Sequence, residues 1–104
     1  PLTLKWAAEH KLPLMEALAR ITSEAARIAG IAKGGHLSVG ARADICIFDL
    51  HKEWIVDTSK FFSKGRNTPL AGRKLKGQVI GTFSMGRCVW ADESRLRIRD
   101  RYEI

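Results

Sequence analysis

In this 104-residue chain, three histidines (His10, His36, His51), two cysteines (Cys46, Cys88) and the carboxylate pair Asp44 and Asp49 stand out as metal-ligating or proton-moving groups. A zinc site needs at least three protein ligands brought together. No histidine here lies within two residues of another, and His-x-His, Cys-x-x-Cys and His-Glu-x-x-His spacings are all absent. His36 and His51 could still meet in space, but solvated loop histidines are the plainer expectation. Asp44 and Asp49 flank one apolar run, and paired carboxylates can do acid–base work. Their places at strand boundaries predict turn caps instead. Ser84 and the two cysteines have no base near them in sequence. The glycines of residues 34–40 match neither phosphate-cradling pattern, Gly-x-x-x-x-Gly-Lys-Ser/Thr or Gly-x-Gly-x-x-Gly. The expectation is a chain without catalytic, cofactor-binding or metal-ligating residues of its own.

Composition is that of an ordinary globular chain, 45% hydrophobic and 28% charged. Its length suits one domain with a modest core, too small for a barrel enclosing its own cavity. The chain opens on Pro1 rather than Met, which reads as a trimmed or cleaved segment. Charged residues at Lys5, Glu9, Lys11, Glu16 and Arg20 exclude a signal peptide or membrane span from the first thirty-one residues. Two cysteines inside apolar runs are too few for a disulfide framework; buried thiols in a reducing compartment, the cytoplasm, are expected. Net charge is +7. A basic balance can mark a nucleic-acid partner. Here the cations are scattered, and Trp54, Phe61, Phe83 and Trp90 sit at core-like positions rather than among the basic residues. No nucleic-acid platform is expected.

The elements that would position these groups come in two blocks. Leu2, Leu4 and Trp6 open a first helix, about 2–10, and Pro13 suits the first position of a second, about 13–20. Leu14, Ala17, Leu18 and Ile21 follow at helical spacing. Thr22 or Ser23 can cap a third helix, about 23–29, and Gly30 followed by Ile31 should end it in a left-handed turn. From Ala43 to Asp49 a run apolar on both faces reads as a strand covered on both sides. Residues 50–53 read as a turn into a second strand, 54–56. Residues 57–74 read as irregular, with a helical turn at Phe61-Phe62. Residues 79–83 and 87–90 form a hairpin around Ser84-Met85-Gly86. Helices first and an antiparallel sheet of about four strands second make the class α+β. Three short helices over such a sheet give a thin core, as in an incomplete unit.

Three stretches resemble the C-terminal end of a dihydroorotase, a cyclic amidohydrolase. Ile21-Thr22-Ser23-Glu24-Ala25-Ala26-Arg27-Ile28-Ala29-Gly30-Ile31 looks like that family's last barrel helix. The run from Gly35 to Asp49, with Leu37, Gly40, Ala43 and Asp44, is similar to the stretch by which amidohydrolases leave the barrel for a small β-domain. Asn67-Thr68-Pro69-Leu70-Ala71-Gly72, followed by Leu75, Gly77, Val79, Thr82, Gly86 and Val89, resembles dihydroorotase more than hydantoinase or allantoinase. His36 and Leu70 depart from the usual residues at their positions and touch no chemistry.

The resemblance implies the last helices of a TIM-like barrel over residues 1–31, part of a β-sandwich over 32–92, and a basic tail, 93–104. It implies a cytoplasmic zinc hydrolase that interconverts carbamoyl aspartate and dihydroorotate in pyrimidine biosynthesis. In that family one or two zinc ions polarise the amide carbonyl and activate a water. The ligands, a His-x-His pair, often a carboxylated lysine, two further histidines and an aspartate, come from barrel strand ends. None of those matches a residue of this chain, so the segment's own role would be structural, against an upstream barrel. An alternative is an inactive paralogue serving as scaffold for aspartate transcarbamoylase, with the alternating stretch 95–102 as a basic docking strand. Alone, the segment should self-associate through unpaired strand edges.

Overall fold

The computed structural model of the chain describes residues 1–96. Three helices, α1 (Leu2–Glu9), α2 (Leu14–Ile21) and α3 (Ser23–Ala29), precede three strands, β1 (Ile45–Ile55), β2 (Lys74–Ser84) and β3 (Arg87–Ala91). The strands form one antiparallel sheet in the order β1-β2-β3, so the α+β class holds. The sequence reading of about 23–29 for α3 matches the observed helix, and those for α1 and α2 fall within one residue of it. Pro13 caps α2 rather than occupying its first turn, with an extended ψ of 139°. Thr22 precedes α3 as expected, yet its hydroxyl donates backwards to the Leu18 carbonyl at 2.7 Å instead of capping. Gly30 ends α3 in the left-handed region, and the Ile31 N–H returns to the Ala26 carbonyl at 2.9 Å.

The sheet departs from expectation in three places. The two strands expected at 43–49 and 54–56 are one strand, because the ladder with β2 resumes after a bulge. Asp49 faces Gln78 and Glu53 faces Lys76, so Leu50, His51 and Lys52 bulge out opposite Gly77 alone. With those two strands merged the sheet has three strands rather than four, and β2 begins at Lys74, five residues before the expected start. The β1 run is not covered on both sides: Cys46 is exposed and Cys88 half-buried, both as free thiols rather than core residues. The expected turn at Phe61-Phe62 lies one step earlier, as a 3₁₀ turn over Thr58–Lys60 that Asp57 caps through the Ser59 N–H. At the Asn67-Thr68-Pro69 corner the Thr68 hydroxyl accepts the Leu70 N–H.

Helix α1 meets the sheet at the bulge. Leu4 lies so close over Gly77 that a Cβ on the glycine would stand 2.6 Å from its Cδ1. The Trp54 indole N–H donates to the Gly77 carbonyl at 2.8 Å, tying β1 to β2 beside the bulge. Arg20 of α2 stacks 5.4 Å from the Trp6 ring of α1, a contact worth ~0.5–1 kcal/mol at an exposed site. Gly35 seats the following loop on the α2–α3 junction, against the Thr22 carbonyl and Ala26. The hairpin turn holds Met85 and Gly86 at φ 49° and 82°, both left-handed as a two-residue I′ turn requires.

The core is small. Ala7, Ala17, Val56 and Leu75 are its buried apolar residues, and none of the larger described side chains is fully enclosed. Accessible surface is 8384 Å², against roughly 5,800 Å² for a closed globule of 11.6 kDa. Large apolar side chains are left outside the core: Ile28, Leu37 and Val39 stand in solvent, Leu37 at 84% exposure. These side chains flank the α3-to-β1 connection, so that side of the fold is unfinished by hydrophobic criteria.

Candidate functional site

The three histidines fall in separate settings. The His10 Nδ1 pairs with the Trp6 carbonyl at 2.9 Å, one turn back in α1. The His36 Nε2 pairs with the Ala32 carbonyl at 2.9 Å inside the glycine-rich loop. His51 lies in the β1 bulge, where its backbone N–H donates to Asp49. The three therefore belong to a helix end, a loop and a bulge. Among the described residues no group of three or more His, Cys, Asp or Glu side chains could hold a metal ion. The described residues thus do not supply the ligand set of the zinc centre that the family resemblance implies.

The two aspartates do more than cap their own turns. Asp44 accepts the Met85 N–H at 2.8 Å through one oxygen and pairs with the Arg42 guanidinium through the other. The Gly86 N–H also donates to the Ala43 carbonyl at 3.0 Å, so the entrance to β1 clasps the tip of the β2–β3 hairpin. This bond spans forty-one residues, where the sequence suggested a cap within the loop. It also supplies the N–H partner of Met85, whose side chain makes a left-handed backbone costly.

Asp49 accepts the N–H groups of His51 and Lys52, at 2.8 and 3.1 Å, on one oxygen, the local cap that its position suggested. Its other oxygen pairs with the Arg95 guanidinium beyond the end of β3. Arg95 and Leu96 lie in a turn packed on the sheet; residues 97–104, with most of the stretch read as a docking strand, lie outside the described residues.

These contacts hold both carboxyls below the ordinary aspartate value of 3.8. For Asp44 the Met85 N–H acts most, then Arg42; for Asp49 the His51 N–H acts most, then Arg95. A depressed folded-state pKa gives stability that is complete above the unfolded value and lost as pH falls through the folded one. Urea midpoints are therefore expected to stay level above about pH 5 and to fall below about pH 4. Asp44→Asn should lower the midpoint at pH 7 and make the acid decline shallower; an unchanged acid limb in that variant would count against the clasp.

An open groove of about 540 Å³ lies between α1 and the sheet, walled by Leu4, Ala8, Leu12, Leu50, His51 and Leu75 among others. Its walls are mainly apolar, and His51 is its only imidazole. Lys5, Glu9, Lys74 and Lys76 line it as well. No helix among the described residues is long and apolar enough to cross a membrane.

Comparison with known proteins gives this scaffold a context. The model of the amidohydrolase family matches residues 2–89. Over 93 residues the chain is 40% identical to a dihydroorotase of Anaplasma phagocytophilum, covering 89% of this chain and 21% of that protein. It is 44% identical over 81 residues to a dihydroorotase of Aquifex aeolicus, covering 78% and 19%. Over 56 residues it is 52% identical to one of Geobacillus sp., covering 54% and 13%. The chain thus spans about a fifth or less of the length of the curated relatives it matches.

Proposed function

The chain belongs to the amidohydrolase family, and from that premise we propose that it is the non-catalytic C-terminal scaffold of a dihydroorotase-like zinc hydrolase. In this reading the parent enzyme interconverts carbamoyl aspartate and dihydroorotate, and its zinc ligands lie upstream. Helices α1 to α3 would close the outer layer of a barrel, and β1 to β3 would complete a small β-sandwich. One observation carries the reading most: similarity to dihydroorotases extends over 89% of this chain while His10, His36, Asp44 and Asp49 are engaged in turns, clasps and helix ends. The apolar side chains left in solvent between α3 and β1 support an upstream partner surface. A cytoplasmic setting is part of this reading, two cysteines being too few for a disulfide framework.

A chimera tests it. The matched C-terminal region of the Aquifex aeolicus dihydroorotase is replaced by this chain, and dihydroorotate turnover is measured. Turnover of the same order as the host enzyme's is expected, and a folded, zinc-loaded chimera without turnover would overturn the reading. Sedimentation completes the test: the chain alone should self-associate through its open edges, and a monodisperse monomer would indicate a self-sufficient core.

A further inference from the structure

The segment that follows β3 does not simply leave the sheet. The Asp92 N–H extends the β2–β3 ladder by donating to the Ile80 carbonyl at 3.0 Å. A single turn follows, in which the Asp92 side chain accepts from the Ser94 N–H and hydroxyl, at 3.1 and 2.6 Å, and its carbonyl accepts from the Arg95 and Leu96 N–H groups. That turn sends the chain back across β2. Leu96 settles against Gly81, so closely that a Cβ on the glycine would lie 2.6 Å from Leu96 Cδ2, and Arg95 reaches Asp49 on β1. Residues 92–96 thus cross the sheet from one edge strand to the other.

Asp49 is also the residue that shapes the bulge, through the His51 and Lys52 N–H groups. Leu50 and His51 of that bulge wall the groove under α1. One carboxylate therefore serves two devices at once. We propose that residues 92–96 are a latched strap, and that the Arg95–Asp49 pair couples its docking to the shape of the β1 bulge and of the groove wall. When the latch opens, the Asp49 carboxylate is free to turn toward solvent and the bulge loses the partner that fixed its cap. When it is closed, strap, bulge and α1 seat form one unit. Arg95 here is a positioning residue acting through Asp49.

Amide hydrogen exchange in the full chain, resolved by residue, tests the coupling. In Arg95→Ala, exchange of the His51 and Lys52 amides should accelerate by ~tenfold or more, the size of a local opening, with Thr82 in the sheet unchanged. Arg95→Lys should restore much of the protection. Leu96→Ser, which loosens the strap at its other contact, should produce the same acceleration at His51 and Lys52. If Arg95→Ala exposes Thr82 as well, Leu96→Ser decides. Faster exchange confined to residues 93–96, with His51 and Lys52 unaffected in either variant, would overturn the coupling.

Discussion

Replacing Gly77 with alanine should cost roughly 2–4 kcal/mol of stability, a large share of the ~5–15 kcal/mol available to a domain. Two independent demands meet at this residue. Its φ of 97° lies where an L side chain is strained, and the new Cβ would meet the Leu4 Cδ1 at 2.6 Å, so the end of that side chain must leave its seat between α1 and the sheet. The glycine is also the lone β2 residue facing the bulged Leu50, His51 and Lys52, and its carbonyl holds the Trp54 indole. Urea unfolding followed by tryptophan fluorescence measures the loss. Gly72→Ala is the control: its φ of 75° is also left-handed, but nothing lies within 4 Å of the added Cβ. That change should cost only ~1–2 kcal/mol. Equal costs at the two positions would mean that α1 does not depend on the Leu4–Gly77 contact.

Gly35→Ala should be as damaging, by another route. At φ 79° its Cβ would meet the Thr22 carbonyl oxygen at 2.7 Å and the Ala26 Cβ at 2.8 Å. A backbone oxygen cannot swing aside as the end of a leucine can, so the loop must leave the α2–α3 junction. A loss of roughly 2–4 kcal/mol is expected, combining backbone strain with the forced separation. Proteolytic cleavage between residues 32 and 43 should rise with it. A variant that keeps its midpoint and its resistance to protease would place the loop elsewhere.

The legibility of these features from sequence follows their physics. The helices could be read because their determinants are local: apolar spacing in Leu14, Ala17, Leu18 and Ile21, and a glycine stop at Gly30. The hairpin at Met85-Gly86 was legible for the same reason. The β1 bulge was not, because Leu50-His51-Lys52-Glu53 has the composition of a turn and only the partner strand shows that the ladder resumes. That partner, Lys74-Leu75-Lys76, alternates charge with one buried leucine and lies just after Gly72, so its sequence carries little strand signal. Cys46 looked buried because its run is apolar on both faces, yet one chain of this length supplies too little structure to cover both.

The roles of the aspartates were half legible. Position alone indicated turn caps, and Asp49 is one. The Asp44 bond to Met85 and the Asp49 pair with Arg95 span more than forty residues, and no local pattern announces such partners. For the histidines, spacing argued against a shared site, and the structure gives His10 and His36 separate backbone partners.

The central claim is that these residues form a scaffold and that the metal chemistry of the parent enzyme lies elsewhere. Equilibrium dialysis of the purified 104-residue chain against zinc, with bound metal quantified per chain, tests it most directly. The scaffold account predicts far less than one zinc per chain, with no change on replacing His10, His36 and His51 together by alanine. One tightly held zinc per chain, lost in that triple variant, would contradict it.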